Sequence, residues 1–283
     1  MHGKKTIWLV GRSSRLGAAI EAIFKPDYNN ILIGTDIDDV DITNLAEVED
    51  FAEKINPDII VDCAMKRDKK WCEDNPEKAY AIHALGARNL AIVANAHGAD
   101  LFYLSSDFVF DGSSSKPYNE FDDVRPITVY GRSKVAGENF VRNLCPQHTI
   151  LRSSWLYGKK YLNEILDSAR KGKVTIYQDI IGSPTSSLEL AETVIRFFDS
   201  KQYGTFHISC EGEASMKEFV LEILKIAKIN AEIEIGGRPT SFEELRARYS
   251  VLDNMMLRLI KEEPMNNWKE SLRRFMEERK VVR

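Results

Sequence analysis

The chain has 283 residues, with 39 Lys and Arg against 43 Asp and Glu, a formal charge of −4 and 43% hydrophobic residues. That length supports one large domain or a main domain with a smaller lobe beside it, and the composition excludes disordered, collagen-like and fibrous classes. A balanced charge gathers neither nucleic acid nor an anionic membrane, and no apolar run approaches the roughly 18 residues of a bilayer span, so small-molecule chemistry is the expectation.

The run 6–10 is a short apolar strand, and Leu16, Ala19, Ile20 and Ile23 then recur at helical spacing. No signal peptide is read ahead of that strand. A strand at 30–34, a helix at 45–55, a break at Pro57 and an apolar strand at 59–63 repeat the alternation. A long helix at 76–97, a strand at 101–104, a polar loop with Gly112, Pro117 and Pro126, a helix over about 130–144 and a strand at 148–151 continue it. This order predicts a parallel sheet with helices on both faces and a ligand crevice beyond the carboxyl ends of the strands. Past about residue 153 the alternation loosens into a helix near 161–171, a strand from Val174 to Tyr177, a Gly182-Ser-Pro-Thr185 loop, helices near 188–198 and 216–227, and a charged amphipathic terminal helix within 267–283, expected to be a solvated end. The four cysteines, at 63, 72, 145 and 210, form no C-x-x-C pair, and no histidine stands at metal-ligand spacing; buried thiols in a reducing cytoplasm, and no metal, are expected.

Between the first strand and first helix stands Gly11-Arg-Ser-Ser-Arg-Leu-Gly17. Gly11 permits a sharp turn and Gly17 close packing of helix on strand, while the free N–H groups of the first helical turn, through Arg12, Ser13, Ser14, Arg15 and Leu16, point at a phosphate. Ser14 occupies the place of the middle glycine in the usual dinucleotide pattern, so an ordinary strand-to-helix turn is the competing reading. Asp36 ends the second strand where an acid meets an adenosine ribose, and Asp41 and Ile42 follow at the adenine edge and face. Asp36 favours NADH, whereas Arg12 suits a 2′-phosphate, so the two leave the choice of NADPH or NADH open.

The fourth strand ends in Ser105-Ser106-Asp107, and Tyr130 and Lys134 open the next helix four residues apart, on one face. An ammonium beside a phenol lowers its pKa from about 10 toward working pH, so the phenol exchanges a proton with a carbonyl oxygen to which Ser106 also hydrogen-bonds. A lone Y-x-x-x-K arises often by chance. Here it follows a glycine turn after the first strand and a hydroxyl after the fourth, the chain order of a dinucleotide reductase.

These residues resemble the extended short-chain dehydrogenase/reductases, and within them the dTDP-4-dehydrorhamnose reductase family. The resemblance runs through GRSSRLG, DIT (41–43), PDIIVDCA (57–64), ALGARNLA (84–91), SSDFVFDG (105–112), YGRSK (130–134), LRSSWLYG (151–158), GSPT (182–185) and SVLDN (250–254). It implies a Rossmann-type doubly wound parallel sheet over residues 1–153, with a smaller C-terminal α/β substrate lobe in 154–283, some of whose segments return to the main domain. It further implies hydride transfer from NADPH or NADH to the C4 keto group of a dTDP-deoxysugar, with Ser106, Tyr130 and Lys134 at the catalytic positions and Lys134 also on the nicotinamide ribose. Cys63, Ala64, Met65 and Ser105 join the cofactor contacts, and Asp107, Phe108, Lys69 and Trp155 face substrate. Some members pair through a helix interface, so a homodimer is among the implied arrangements.

The chain departs from the family at Ser14, at His83 and Asp62 where asparagines are usual, at Arg248-Tyr249, and in the loop MKRDKKWCE (65–73). Its Lys66, Arg67, Lys69 and Lys70 suit a diphosphate, an acidic sugar or a 2′-phosphate, or simply begin a solvated helix. Two rival functions stand beside the reductase: the same chemistry on another nucleotide sugar, and a non-catalytic dinucleotide-binding subunit resembling the regulatory subunit of methionine adenosyltransferase. The complete Ser106, Tyr130 and Lys134 set argues against the second.

Overall fold

The computed structural model describes residues 5–24, 30–176, 180–236 and 247–281. Strands β1 (Lys5–Val10), β2 (Asn30–Thr35), β3 (Ile59–Asp62), β4 (Asp100–Ser106), β5 (His148–Ser153) and β6 (Gly204–His207) form one parallel sheet in the order β6-β5-β4-β3-β1-β2. The doubly wound sheet expected from the alternating pattern is therefore present. Its direction of winding reverses at β1, which pairs with β2 on one side and β3 on the other; such a switch point opens a crevice above the strand ends.

Strand alternation sends neighbouring side chains of β1 into different cores. Ile7 and Leu9 join one cluster with α1 (Arg15–Ile23) and α8 (Ser187–Phe197), and Trp8 and Val10 join another with α2 (Leu45–Ile55), α5 (Gly86–His97) and α6 (Val129–Leu144). The first cluster continues without interruption into the C-terminal half, through Leu162 and Ile165 of α7 (Lys159–Arg170), Phe219 and Ile223 of α9 (Met216–Ala227), and Trp268 and Phe275 of the terminal helix Trp268–Glu278. That helix thus buries a full apolar face instead of ending in solvent.

β6 has only four residues, too few for a period to declare itself, yet Phe206 is fully buried and the strand closes the sheet beside β5. A second strand missed by pattern, Glu232–Ile235, pairs with Lys173–Ile176; Tyr177, expected to end that strand, lies outside the described residues. The long helix expected at 76–97 is interrupted: α4 (Pro76–Tyr80) passes through one π turn, Ala81–Leu85, before α5. α3 (Lys69–Asp74) is capped by Asp68, whose carboxylate accepts from Trp71 N at 3.0 Å. None of the described helices is long and apolar enough to cross a membrane.

Beneath the strand ends, the fully buried Glu138 of α6 accepts from Arg152 Nε (2.9 Å) and Nη2 (2.7 Å) on β5, from Arg142 Nη2 (2.7 Å) and from Ser105 Oγ (2.6 Å) on β4. Burial opposes the charge, but these partners prevail and hold the carboxyl down near 2. His83 and His207 are buried and neutral, burial pulling each to about 3. His207 Nδ1 lies 3.1 Å from Tyr118 O and 3.2 Å from Asp253 O.

All three groups bind protons more readily in the unfolded chain, so acid favours unfolding. The histidines' contribution is complete above their ordinary value of 6.5 and drains as pH falls toward 3; that of Glu138 drains below its ordinary 4.5. Urea midpoints are expected to fall from pH 7 to 5, the two imidazoles outweighing buried carboxyls such as Asp62, which burial raises to about 6 and which act in the opposite sense, and to fall more steeply below 4.5. An unchanged midpoint between pH 7 and 5 would contradict neutral burial of the two imidazoles.

Candidate active site

Three strand ends converge at the switch point. Gly11 follows β1 with φ +77°, and a Cβ there would stand 2.7 Å from Ala64 N, because the segment after β3 passes directly over the turn. Ser14 caps α1, its hydroxyl accepting from Gly17 N at 3.0 Å, and Gly17 packs against the Gly11 carbonyl, where a side chain would overlap it. The serine thus does local work that the usual middle glycine does not.

A cavity of about 560 Å³ opens here, lined by Gly11, Ser13, Ser14, Asp36, Asp41, Ile42, Cys63, Ala64 and Met65, all anticipated from sequence. Asp36 Oδ1 accepts from Ser13 Oγ (3.0 Å) and Ser13 N (3.3 Å), placing the carboxylate at the mouth of the turn. Arg12 and Arg15 do not line this cavity: the Arg12 guanidinium meets Glu21 at 2.5 Å, and Arg15 lines the cavity beyond. The Leu16 side chain is fully buried in the core, because its position on α1 faces the sheet, so its expected part in the turn falls to its backbone N–H.

Met65 and Arg67 lead from this cavity into a second, of about 270 Å³, where Ser105, Ser106, Asp107, Phe108, Lys69, Tyr130 and Trp155 meet. The hydroxyl of Ser106 donates to Asp107 Oδ1 and that of Ser154 to Asp107 Oδ2, both at 2.9 Å, so the carboxylate orients the serine. Trp155 adopts φ +42°, a backbone region costly for a bulky residue and found mainly where function holds it. Its indole lies where any side chain on residue 182 would collide, which gives the glycine of the Gly182-Ser-Pro-Thr185 loop its purpose.

Tyr130 is buried, its hydroxyl 3.7 Å from Met65 Sδ and its ring edge-on to Phe108 and His83 at 5.4 and 5.2 Å. Its acidity departs from the sequence expectation. Burial first, and then the Asp107 charge, push the phenol above its ordinary value, with partial relief from a Ser106 hydrogen bond. Lys134 does not offset this: its Nζ lies 3.8 Å from the centroid of the Tyr103 ring, fully buried and without a hydrogen-bond partner among the described residues. Burial lowers the ammonium to about 8, against the pull of Asp62 and Glu138. Asp62, in turn, is raised by burial to about 6. A glycine cradle, a carboxylate at its mouth and an orphaned buried ammonium beyond it fit a dinucleotide.

The basic loop divides its charges. Lys70 pairs with Asp74 at 2.8 Å and Lys66 lies over Trp71 at 5.0 Å, as a helix start would have them, whereas Lys69 lies over the Phe108 and Tyr130 rings at 4.6 and 4.8 Å. His83 pins the loop: Lys66 N donates to its Nε2 at 2.9 Å, which leaves the proton on Nδ1, 2.8 Å from Ser133 Oγ, and Ser133 donates to Tyr130 O at 2.9 Å. Tyr161, Met216 and Phe219 complete the wall from the C-terminal half. Nothing local marks them, since on their own helices they read as ordinary apolar positions.

A family model described as the RmlD substrate binding domain matches residues 5–281. The spore coat polysaccharide biosynthesis protein SpsK of Bacillus subtilis is 35% identical over 79% of this chain and 80% of its own. A dTDP-4-keto-6-deoxy-D-glucose reductase of Streptomyces niveus is 31% identical over 94% of each. Among solved structures, a dTDP-4-dehydrorhamnose reductase of Clostridium acetobutylicum superposes with a TM-score of 0.90 at 35% identity, covering 97% of this chain and 99% of that one. A second, of Bacillus anthracis in complex with NADP, gives 0.91 at 33% with the same coverage. With the family model matching residues 5–281 and the sheet, glycine turn and tyrosine helix in place, the chain belongs to the dTDP-4-dehydrorhamnose reductase family.

Proposed function

We propose that Tyr130 is the proton donor in reduction of the 4-keto group of a dTDP-deoxysugar, with Ser106 polarising the same oxygen and Lys134 holding the nicotinamide ribose. The chain is an NAD(P)H-dependent oxidoreductase by family, and a bound reduced nicotinamide supplies the hydride. The observation that carries the residue assignment is the meeting of Tyr130 and Ser106 in one cavity continuous with the glycine turn, next to a buried Lys134 whose ammonium has no hydrogen-bond partner among the described residues.

The roles follow from charge. A buried phenol held above its ordinary pKa is fully protonated at working pH, the form a reductase needs when the substrate oxygen gains negative character. Ser106, oriented by Asp107, donates to that oxygen once the carbonyl displaces its present acceptor. Lys134 would hold the nicotinamide ribose through its buried ammonium, which has no hydrogen-bond partner among the described residues. Residues 1–153 hold the cofactor and much of 154–283 shapes the sugar side, where Trp155, Tyr161, Met216 and Phe219 provide apolar surface. Asp36 in the adenosine cavity, with Arg12 turned away to Glu21, favours NADH over NADPH.

Tyr130→Phe is expected to lower turnover by about 10²–10⁴-fold while cofactor binding persists, read from nicotinamide absorbance and fluorescence. Near-full turnover in this variant would remove the proton-donor role. The kcat/KM for cofactor should decline as pH rises through about 8, where free Lys134 loses its charge; a flat profile to pH 9.5 would exclude that dependence. The ratio of kcat/KM for NADH to that for NADPH should exceed one and shrink in Asp36→Asn; an unchanged ratio would show that Asp36 does not discriminate.

A further inference from the structure

A third cavity, of about 580 Å³, lies between the first two turns of α1, the start of α7 and the end of the terminal helix. Among the described residues it shares Ser13, Ser14 and Arg67 with the adenosine cavity and Arg15 and Arg67 with the reaction cavity, so one edge of it is the turn expected to hold the cofactor's phosphate, while Lys159, Lys160 and Arg279 lie beyond that edge. Among the described residues its walls carry five cations, Arg15, Arg67, Lys159, Lys160 and Arg279, against the carboxylate of Glu164.

These charges are poorly neutralised. Among the described residues Arg67, Lys159 and Lys160 make no ion pair, and Arg279 Nη2 is buried without a partner. Arg15 is anchored, donating to Leu156 O at 2.6 Å and lying over the Tyr161 ring at 5.2 Å; burial, followed by the charge of Arg67, lowers it to about 10, so it stays cationic. α7 opens at Gly158, which offers no side-chain cap to the N–H groups of the first turn. Guanidinium groups and lysines that repel one another around a hollow of this size gain most from an anion with several acceptor oxygens.

We propose that this third cavity binds a phosphate-bearing small molecule, separately from the reaction groove, and is coupled to that groove through Arg15 and Arg67. Lys159, Lys160 and Arg279 belong to the third cavity alone, whereas Arg67 serves all three. A ligand in the third cavity draws on Arg67 and so weakens cofactor binding, and by linkage the cofactor weakens the ligand by the same factor. Only this coupling rests on the reductase reading; the anion site stands without it.

The test uses inorganic pyrophosphate on the full chain. Its addition should weaken NADH binding, followed by nicotinamide fluorescence, about fivefold or more and then reach a plateau, because both ligands are held at once. In the combined variant Lys159→Ala, Lys160→Ala, Arg279→Ala the effect should vanish while NADH-dependent turnover stays at the wild-type level, which also certifies the fold. Thymidine diphosphate run in parallel identifies the occupant. Tighter binding than pyrophosphate, lost in the same variant, marks a nucleotide, and equal binding equally lost marks the phosphate group itself. Pyrophosphate inhibition that rises without limit and survives in the variant would place the anion in the cofactor's own phosphate subsite and overturn the proposal, as would an absence of any effect. Failure of the reductase reading appears elsewhere, as no turnover of keto sugar by the unaltered protein.

Discussion

The carboxylate of Glu138 receives hydrogen bonds from Arg152, Arg142 and Ser105 and so ties α6 to β4 and β5 where the strands end. A buried ion pair of this kind adds little net stability, because desolvation consumes most of the Coulomb gain. Its value lies in uniqueness: losing one partner leaves the others charged and dry, so the helix has a single acceptable seat. Tyr130 and Lys134 lie on that helix, and the depth of both below the crevice follows from where Glu138 is held.

Burial then sets the chemistry. The same exclusion of water that keeps Tyr130 protonated brings Lys134 down to about 8 and Asp62 up to about 6, so three ionisable groups near the strand ends stand away from their solution behaviour. Pair attraction along one helix face is the smaller effect, because Lys134 rests on Tyr103 instead of reaching the phenol. Closing the site therefore matters more to its acid–base character than the four-residue spacing alone suggests. His83 adds a second mechanical link, joining the backbone of the basic loop to the backbone of Tyr130 through Ser133.

Much of the nucleotide end was legible in the chain, because a glycine turn is a local device: the residues that make it and those that use it are neighbours, and Asp36 follows from the position of the next strand end. The directions of the Arg12 and Leu16 side chains are set by something the string does not carry. Arg12 finds Glu21 on the outer face of α1, and Leu16 is carried inward by the helix's angle to the sheet. β6 escaped notice because a four-residue strand is specified by the sheet edge it completes, not by its own period.

By itself the sequence determined the alternation of strands and helices, the turn at Gly11, and the order in which hydroxyl, phenol and amine arrive, since each depends on residues a few positions apart. Tertiary structure decided the rest. Which face of the sheet the C-terminal half shares, how deeply Tyr130 is buried, which of the loop's cations reaches the crevice, and that Arg15, Arg67, Lys159, Lys160 and Arg279 surround one hollow all depend on groups far apart in the chain, and their energies come from exclusion of water, which no local pattern encodes.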